Sequence, residues 1–350
     1  MPYDLSKTTL TAILNDIDRR LTALTPISAS APAPAPVPAP APTPAPAPVP
    51  APAPAPVAPK AKPLVGWSGA AIPSVAPHVV GVWMNRETWD DVAGARWLAF
   101  SDDLKGFVAA HPDGIADVGV PLIPHNTPPA GWNALLAEGA SGTRDDAYRG
   151  LGAGLAAVSP ATTAARLWWE FNMNPDANNI DRAAFVKCWQ HAAPLIRAGF
   201  AKAAPTKKLL LTFCPNSDGA DTAPFWPGAQ HVDVVAVDAY AAKWGTTAPA
   251  KADLLALVQS QLDRITAFAK AQGKPVALGE WGNMTVKQPG QADLQGLGDF
   301  PEYIDLVFDW AAKAGALYLS YFNINAAGGI TFDQTPNSLA RFQARAAALA

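Results

Sequence analysis

Short hydrophobic runs alternate with helix-like stretches beyond Pro63, and that alternation limits what this part of the chain can become. The runs are His78–Met84, Ala95–Phe100, Ala116–Ile123, Ala165–Trp169, Lys208–Phe213, Val232–Val237, Pro275–Gly279 and Leu317–Phe322. They are too short for ordinary helices, and mostly continuous in hydrophobicity, as parallel strands buried on both faces are. Helical stretches such as Asp181–Ala198 and Lys251–Ala271 lie between them, with Pro and Gly at the junctions. Eight such strands separated mostly by helices predict an α/β fold, a (β/α)8 TIM barrel, over residues 64–350.

The front of the chain obeys different physics. Of its 36 prolines, 14 fall between Ala31 and Lys60 in a nearly strict Ala-Pro alternation. Proline removes amide donors and alanine offers little surface to bury, so no core can form there. Residues 26–63 are therefore expected to be a polyproline II spacer, semi-rigid and roughly 100 Å long. Ahead of it, Leu10, Leu14, Ile17, Leu21 and Leu24 recur at 4-3-4-3 spacing. That spacing makes residues 1–25 a short amphipathic or coiled-coil helix, suited to forming a homo-oligomer or docking on a larger assembly.

Composition excludes several partners. A net charge of -3 without basic clusters argues against nucleic acid. No run of 18 apolar residues is present, which argues against a membrane span. Lys7, Asp16, Asp18, Arg19 and Arg20 interrupt the apolar stretch that a Sec signal peptide needs. Cys188 and Cys214 are the two cysteines, expected as buried free thiols. His78, His111, His191 and His231 are scattered without ligand-like spacing, so no catalytic metal is expected, nor another cofactor. Asp176 and Asn178–Asp181 could hold calcium or open a helix.

In a closed parallel barrel, every strand delivers its C-terminal end to one mouth. Trp83, His125, Asn126, Glu170, Asn172, Asp238, Tyr240, Glu280, Trp281, Asn323 and Asn325 would gather there. Such a polar and aromatic company suits sugars, whose C–H faces lie on aromatic rings while their hydroxyls bond amides and carboxylates. Trp83, Trp281 and one of Trp168 and Trp169 are candidate platforms for a ring. Glu170 and Glu280 each end an apolar run, and two carboxylates from different strands are the minimum equipment for cleaving a glycosidic bond.

Five segments occur in an order that resembles family 26 glycoside hydrolases: Arg166-Leu-Trp-Trp-Glu-Phe-Asn172, Phe213-Cys-Pro-Asn216, Phe225-Trp-Pro-Gly228, Val232-Asp-Val-Val-Ala-Val-Asp-Ala-Tyr240 and Gly279-Glu-Trp-Gly282. These are retaining enzymes of the β-mannanase type. The resemblance implies that Glu170 is the acid/base after strand four and Glu280 the nucleophile at strand seven. Arg166 and Tyr240 would be hydrogen-bonding partners of the nucleophile. Trp169 replaces the histidine that mannanase-like members carry before the acid/base. The expected reaction is double displacement on a β-linked polysaccharide, whether capsule, exopolysaccharide or a mannan-like glycan. Apolar neighbours should keep Glu170 protonated, while Arg166 and Tyr240 keep Glu280 ionised. A coiled-coil foot, a stiff stalk and a glycanase head suggest a phage tail depolymerase, on a virion or otherwise extracellular. The rival classes are a non-catalytic glycan-binding module and a purely structural spike.

Overall fold

The computed structural model describes residues 62–94, 102–173, 176–287, 293–326 and 328–349. The expectations for residues 1–25, for most of the Ala-Pro tract and for a strand over 95–100 lie outside these residues. The barrel lies in the compact unit Pro54–Ala350.

Eight parallel strands close on themselves: β1 (Leu64–Gly69), β2 (Val79–Trp83), β3 (Ile115–Val120), β4 (Thr162–Leu167), β5 (Lys208–Phe213), β6 (Val234–Gly245), β7 (Val276–Asn283) and, after a short β8 (Asp293–Gly296), β9 (Tyr318–Asn323). Pairing runs in chain order around the ring. β9 lies between β7 and β1, and Thr212 opposite Val234 joins β5 to β6. β8 stands outside the ring, antiparallel to the Ala242–Gly245 end of β6. The (β/α)8 barrel is therefore the observed fold. One of the eight, β1 at Leu64–Gly69, is absent from the runs expected from the sequence, and β2 pairs directly with β3.

Helices pack around the ring, including Asp145–Val158, Arg182–Ala203, Lys251–Ala271, Pro301–Ala314 and Pro336–Ala347. Their ends carry ordinary stop and start signals. The Asp181 carboxylate caps Arg182–Ala203 by accepting from Ala183 N and Ala184 N. That settles Asp181 as a helix opener. Gly315, with φ of 71°, closes Pro301–Ala314 in the left-handed region.

The barrel interior changes character along its axis. Val79, Ile115, Ala164, Leu210, Val234, Ala236, Ala277 and Tyr318 form an apolar plug near the strands' N-terminal ends. Alternate residues of a strand share a face, so Ile115, Ala164 and Ala236 are followed inward by Asp117, Arg166 and Asp238. All three of these charged residues are fully buried. The polar mouth rests on this ionic layer, and the ionic layer rests on the plug.

Candidate active site

β7 carries Glu280 to the mouth, where three donors converge on its carboxyl group. Arg166 Nη1 donates to Oε1 at 2.6 Å and Trp83 Nε1 at 2.8 Å, while the Tyr240 hydroxyl donates to Oε2 at 2.8 Å. Three donors facing one carboxyl group suit an ionised acceptor. Beneath it, Arg166 also reaches Asp117 Oδ1 at 3.1 Å through Nε and Asp238 Oδ2 at 3.3 Å through Nη1. Tyr318 donates to Asp117 at 3.0 Å and the Cys214 thiol to Asp238 at 3.1 Å.

One guanidinium thus serves three carboxyl groups, too little positive charge for three buried anions. The protons redistribute accordingly. Burial pushes Asp117 up to about 6, against the pull of Arg166. Burial, then the charge of Glu280, pushes Asp238 well above the usual carboxylate range.

Glu170 stands in different surroundings. The backbone after β4 turns sharply, with φ of 45° at Trp168 and 58° at Glu170, the left-handed region that side chains other than glycine rarely adopt. The turn is pinned on both sides: Trp168 N donates to Val120 O at 2.7 Å and Glu170 N to Cys214 O at 2.8 Å. Trp168 is fully buried, stacked on His125 and edge-on to Trp132, and Phe171 is buried among Phe185, Phe213 and Phe225. With both flanking anchors committed inward, Trp169 and Glu170 are left half-buried at the rim. Among the described residues a single side-chain bond reaches the Glu170 carboxyl group, from Asn216 Nδ2 to Oε1 at 2.6 Å. Burial, then the charge of Glu280, raises Glu170 from 4.5 to about 7, although Asn216, Arg166 and Arg86 oppose the rise.

The other candidate residues divide by their contacts. Trp83 and Tyr240 flank Phe322 and hydrogen-bond Glu280. His125 is buried, with Nδ1 against Ile123 O at 3.1 Å and Nε2 against Arg86. Asn126 is exposed and its amide reaches Glu87 at 3.5 Å.

Like that of His125, the side chains of four more residues expected in the cleft are occupied by the protein itself. Trp281 is fully buried among Tyr303, Phe308, Tyr321 and Phe342, because its neighbour Glu280 takes the inward face of β7. Asn172 clasps Asn216, accepting from its backbone N–H at 2.8 Å and donating to its carbonyl at 3.0 Å, so it acts on Glu170 at one remove. Asn323 donates to Ala70 O and accepts from Phe332 N. Asp238 is enclosed by Arg166 and Cys214.

The sequence reading passed over Asn216, Arg86 and Asp117 as site residues. Asn216 had a signal, lying just past the end of β5 as Glu170 lies just past β4. Cys188 and Cys214 are free and buried.

The barrel itself belongs to a class already seen in solved structures. A modular endo-β-1,4-mannanase from Cellulomonas fimi matches at 15% identity over 82% of this chain and 70% of that one, with a TM-score of 0.53. GH26C from a Muricauda species matches at 13% identity, 82% and 86% coverage and a TM-score of 0.56. A GH26 β-mannanase from Bacteroides ovatus matches at 14% identity, 83% and 87% coverage and a TM-score of 0.52. No family model and no curated protein matches the sequence. At these identities the likeness is one of fold: the chain has the (β/α)8 fold of family 26 glycoside hydrolases.

Proposed function

We propose that the protein is a retaining glycoside hydrolase that cleaves a β-linked polysaccharide by double displacement. Glu280 attacks the anomeric carbon and Glu170 gives its proton to the leaving oxygen. A glycosyl-enzyme forms, and Glu170 then takes a proton from the water that breaks it.

The observation that carries this reading is the opposite treatment of two carboxyl groups at one mouth. Three donors hold Glu280, as an attacking carboxylate needs to be held. Burial lifts Glu170 to about 7, within the range where an acid can give and retake a proton near neutrality. The fold it shares with family 26 hydrolases supports the same reaction class. Attachment of this head to a virion or another extracellular assembly through residues 1–25 belongs to the same proposal.

The test is release of reducing ends from a panel of β-linked polysaccharides by the full chain. Proton NMR of the first-formed anomer should show retained configuration. Inverted product would remove the covalent step, and absence of any release across the panel would favour a glycan-binding module.

A further inference from the structure

Arg86 follows β2 by three residues and stands at the edge of the same cleft. Its guanidinium lies over the Trp169 ring, 5.0 Å from the centroid, and Nη1 reaches His125 Nε2 at 3.3 Å. With Nδ1 against the Ile123 carbonyl, His125 carries its proton there and accepts from Arg86 through Nε2. Burial, then the charge of Arg86, lowers His125 to about 3, so that ring is neutral.

A guanidinium presents five N–H donors in a plane, and one of them is engaged here. Among the described residues no carboxylate pairs with Arg86. Nearby Asp91 instead accepts from Glu87 N and from Thr88. Arg86 is therefore a half-buried cation, steadied by a ring and an imidazole, with the rest of its fork open. That fork matches a carboxylate in geometry and charge, and the cost of ordering a long side chain has already been met.

We propose that Arg86 is a subsite for the carboxylate of an acidic sugar unit, a uronate, close to the scissile bond, so that the polymer taken by this cleft is anionic. The inference rests on the hydrolase reading above and names its substrate class.

It also connects binding to the acid. The acidic groups Glu280 and Asp238 and the guanidinium groups of Arg166 and Arg86 bear on Glu170, and Arg86 favours loss of the proton that the acid must keep. A uronate seated on Arg86 offsets that positive charge and leaves Glu170 protonated to higher pH.

The test uses the full chain carrying Glu280→Gln, to stop turnover, in affinity electrophoresis through native gellan, xanthan and hyaluronan. The same polymers with their uronates reduced to neutral hexoses run in parallel. Native polymer should bind at least tenfold more tightly than its reduced form. Adding Arg86→Gln should erase that difference, and Arg86→Lys should restore part of it. Equal binding of native and reduced polymer, a preference that survives Arg86→Gln, or binding to none of the native polymers would overturn the inference. Should Arg86→Gln fail to fold, the comparison of native with reduced polymer still decides.

Reducing-end release by the unmodified chain separates the two readings. Equal release from both forms leaves a hydrolase without an anionic subsite. Discrimination in binding without any release leaves the subsite and removes the hydrolase.

Discussion

Glu280 projects from β7 at a shift in the strand's register, into a web of donors that extends down to Asp117 and Tyr318, whereas Glu170 sits in a left-handed turn with one amide for company. The same side chain meets two different surroundings. On the Glu280 side the environment is charge: a buried guanidinium, an indole N–H and a phenol hydroxyl. On the Glu170 side it is shape, with Trp168 and Phe171 anchored inward so that a carboxyl group must face a partly desolvated rim. Donors gather on one carboxyl group, while desolvation favours the protonated form of the other.

Exchanging each carboxyl for its amide tests that contrast most severely. Glu280→Gln should lower hydrolysis on the order of 10⁵-fold or more, for every leaving group. Glu170→Gln should cost about 10²–10⁴-fold, and far less on aryl glycosides whose leaving group needs no proton. If both variants respond alike to leaving-group ability, the division of labour is wrong.

Next in size is the base of the web. Arg166→Met strands buried acidic groups and should lower unfolding free energy by about 3–5 kcal/mol in urea titrations. A loss below 1 kcal/mol would mean that the carboxyl groups there are already neutral.

Asn216→Ala is gentler. It removes a bond that favours the charged form of Glu170, so the basic limb of the pH–rate profile should move to higher pH. A limb that stays or falls would break the link between Asn216 and the acid.

Smallest is the pH dependence of stability. Glu170 and Asp117 bind protons more tightly folded than unfolded, so their contribution is full below about 4 and fades as pH rises through about 6 and about 7. Glu170→Gln should flatten the upper part of that decline in melting temperature, and an unchanged slope would assign it elsewhere.

The sequence carried the architecture better than it carried the corners. β5 coincides with its predicted run because Lys208–Phe213 is apolar almost throughout and bounded by turns. β1 escaped notice because Leu-Val-Gly-Trp-Ser-Gly interrupts its hydrophobic signal with small residues. The far end of β6 was missed because it is held by β8 rather than by burial.

At the site, Glu170, Glu280 and Tyr240 were legible as residues at the C-terminal ends of the expected strands, while Arg166 entered through the family resemblance alone. Period-two alternation could also have warned that Trp281 faces away if Glu280 faces in. What no pattern discloses is the sharing of one guanidinium among Asp117, Asp238 and Glu280, which belong to three strands and become neighbours only when the ring closes.

Gly279 stands immediately before Glu280. A β-carbon at that position would come within 2.8 Å of Asp238 Oδ1, 2.9 Å of Arg166 Cδ and 3.1 Å of Cys214 Sγ. A single added methyl would therefore press on the scaffold beneath Glu280 while leaving both mouth carboxyl groups in the chain. The packing under Glu280, in this barrel, leaves no room one carbon wide.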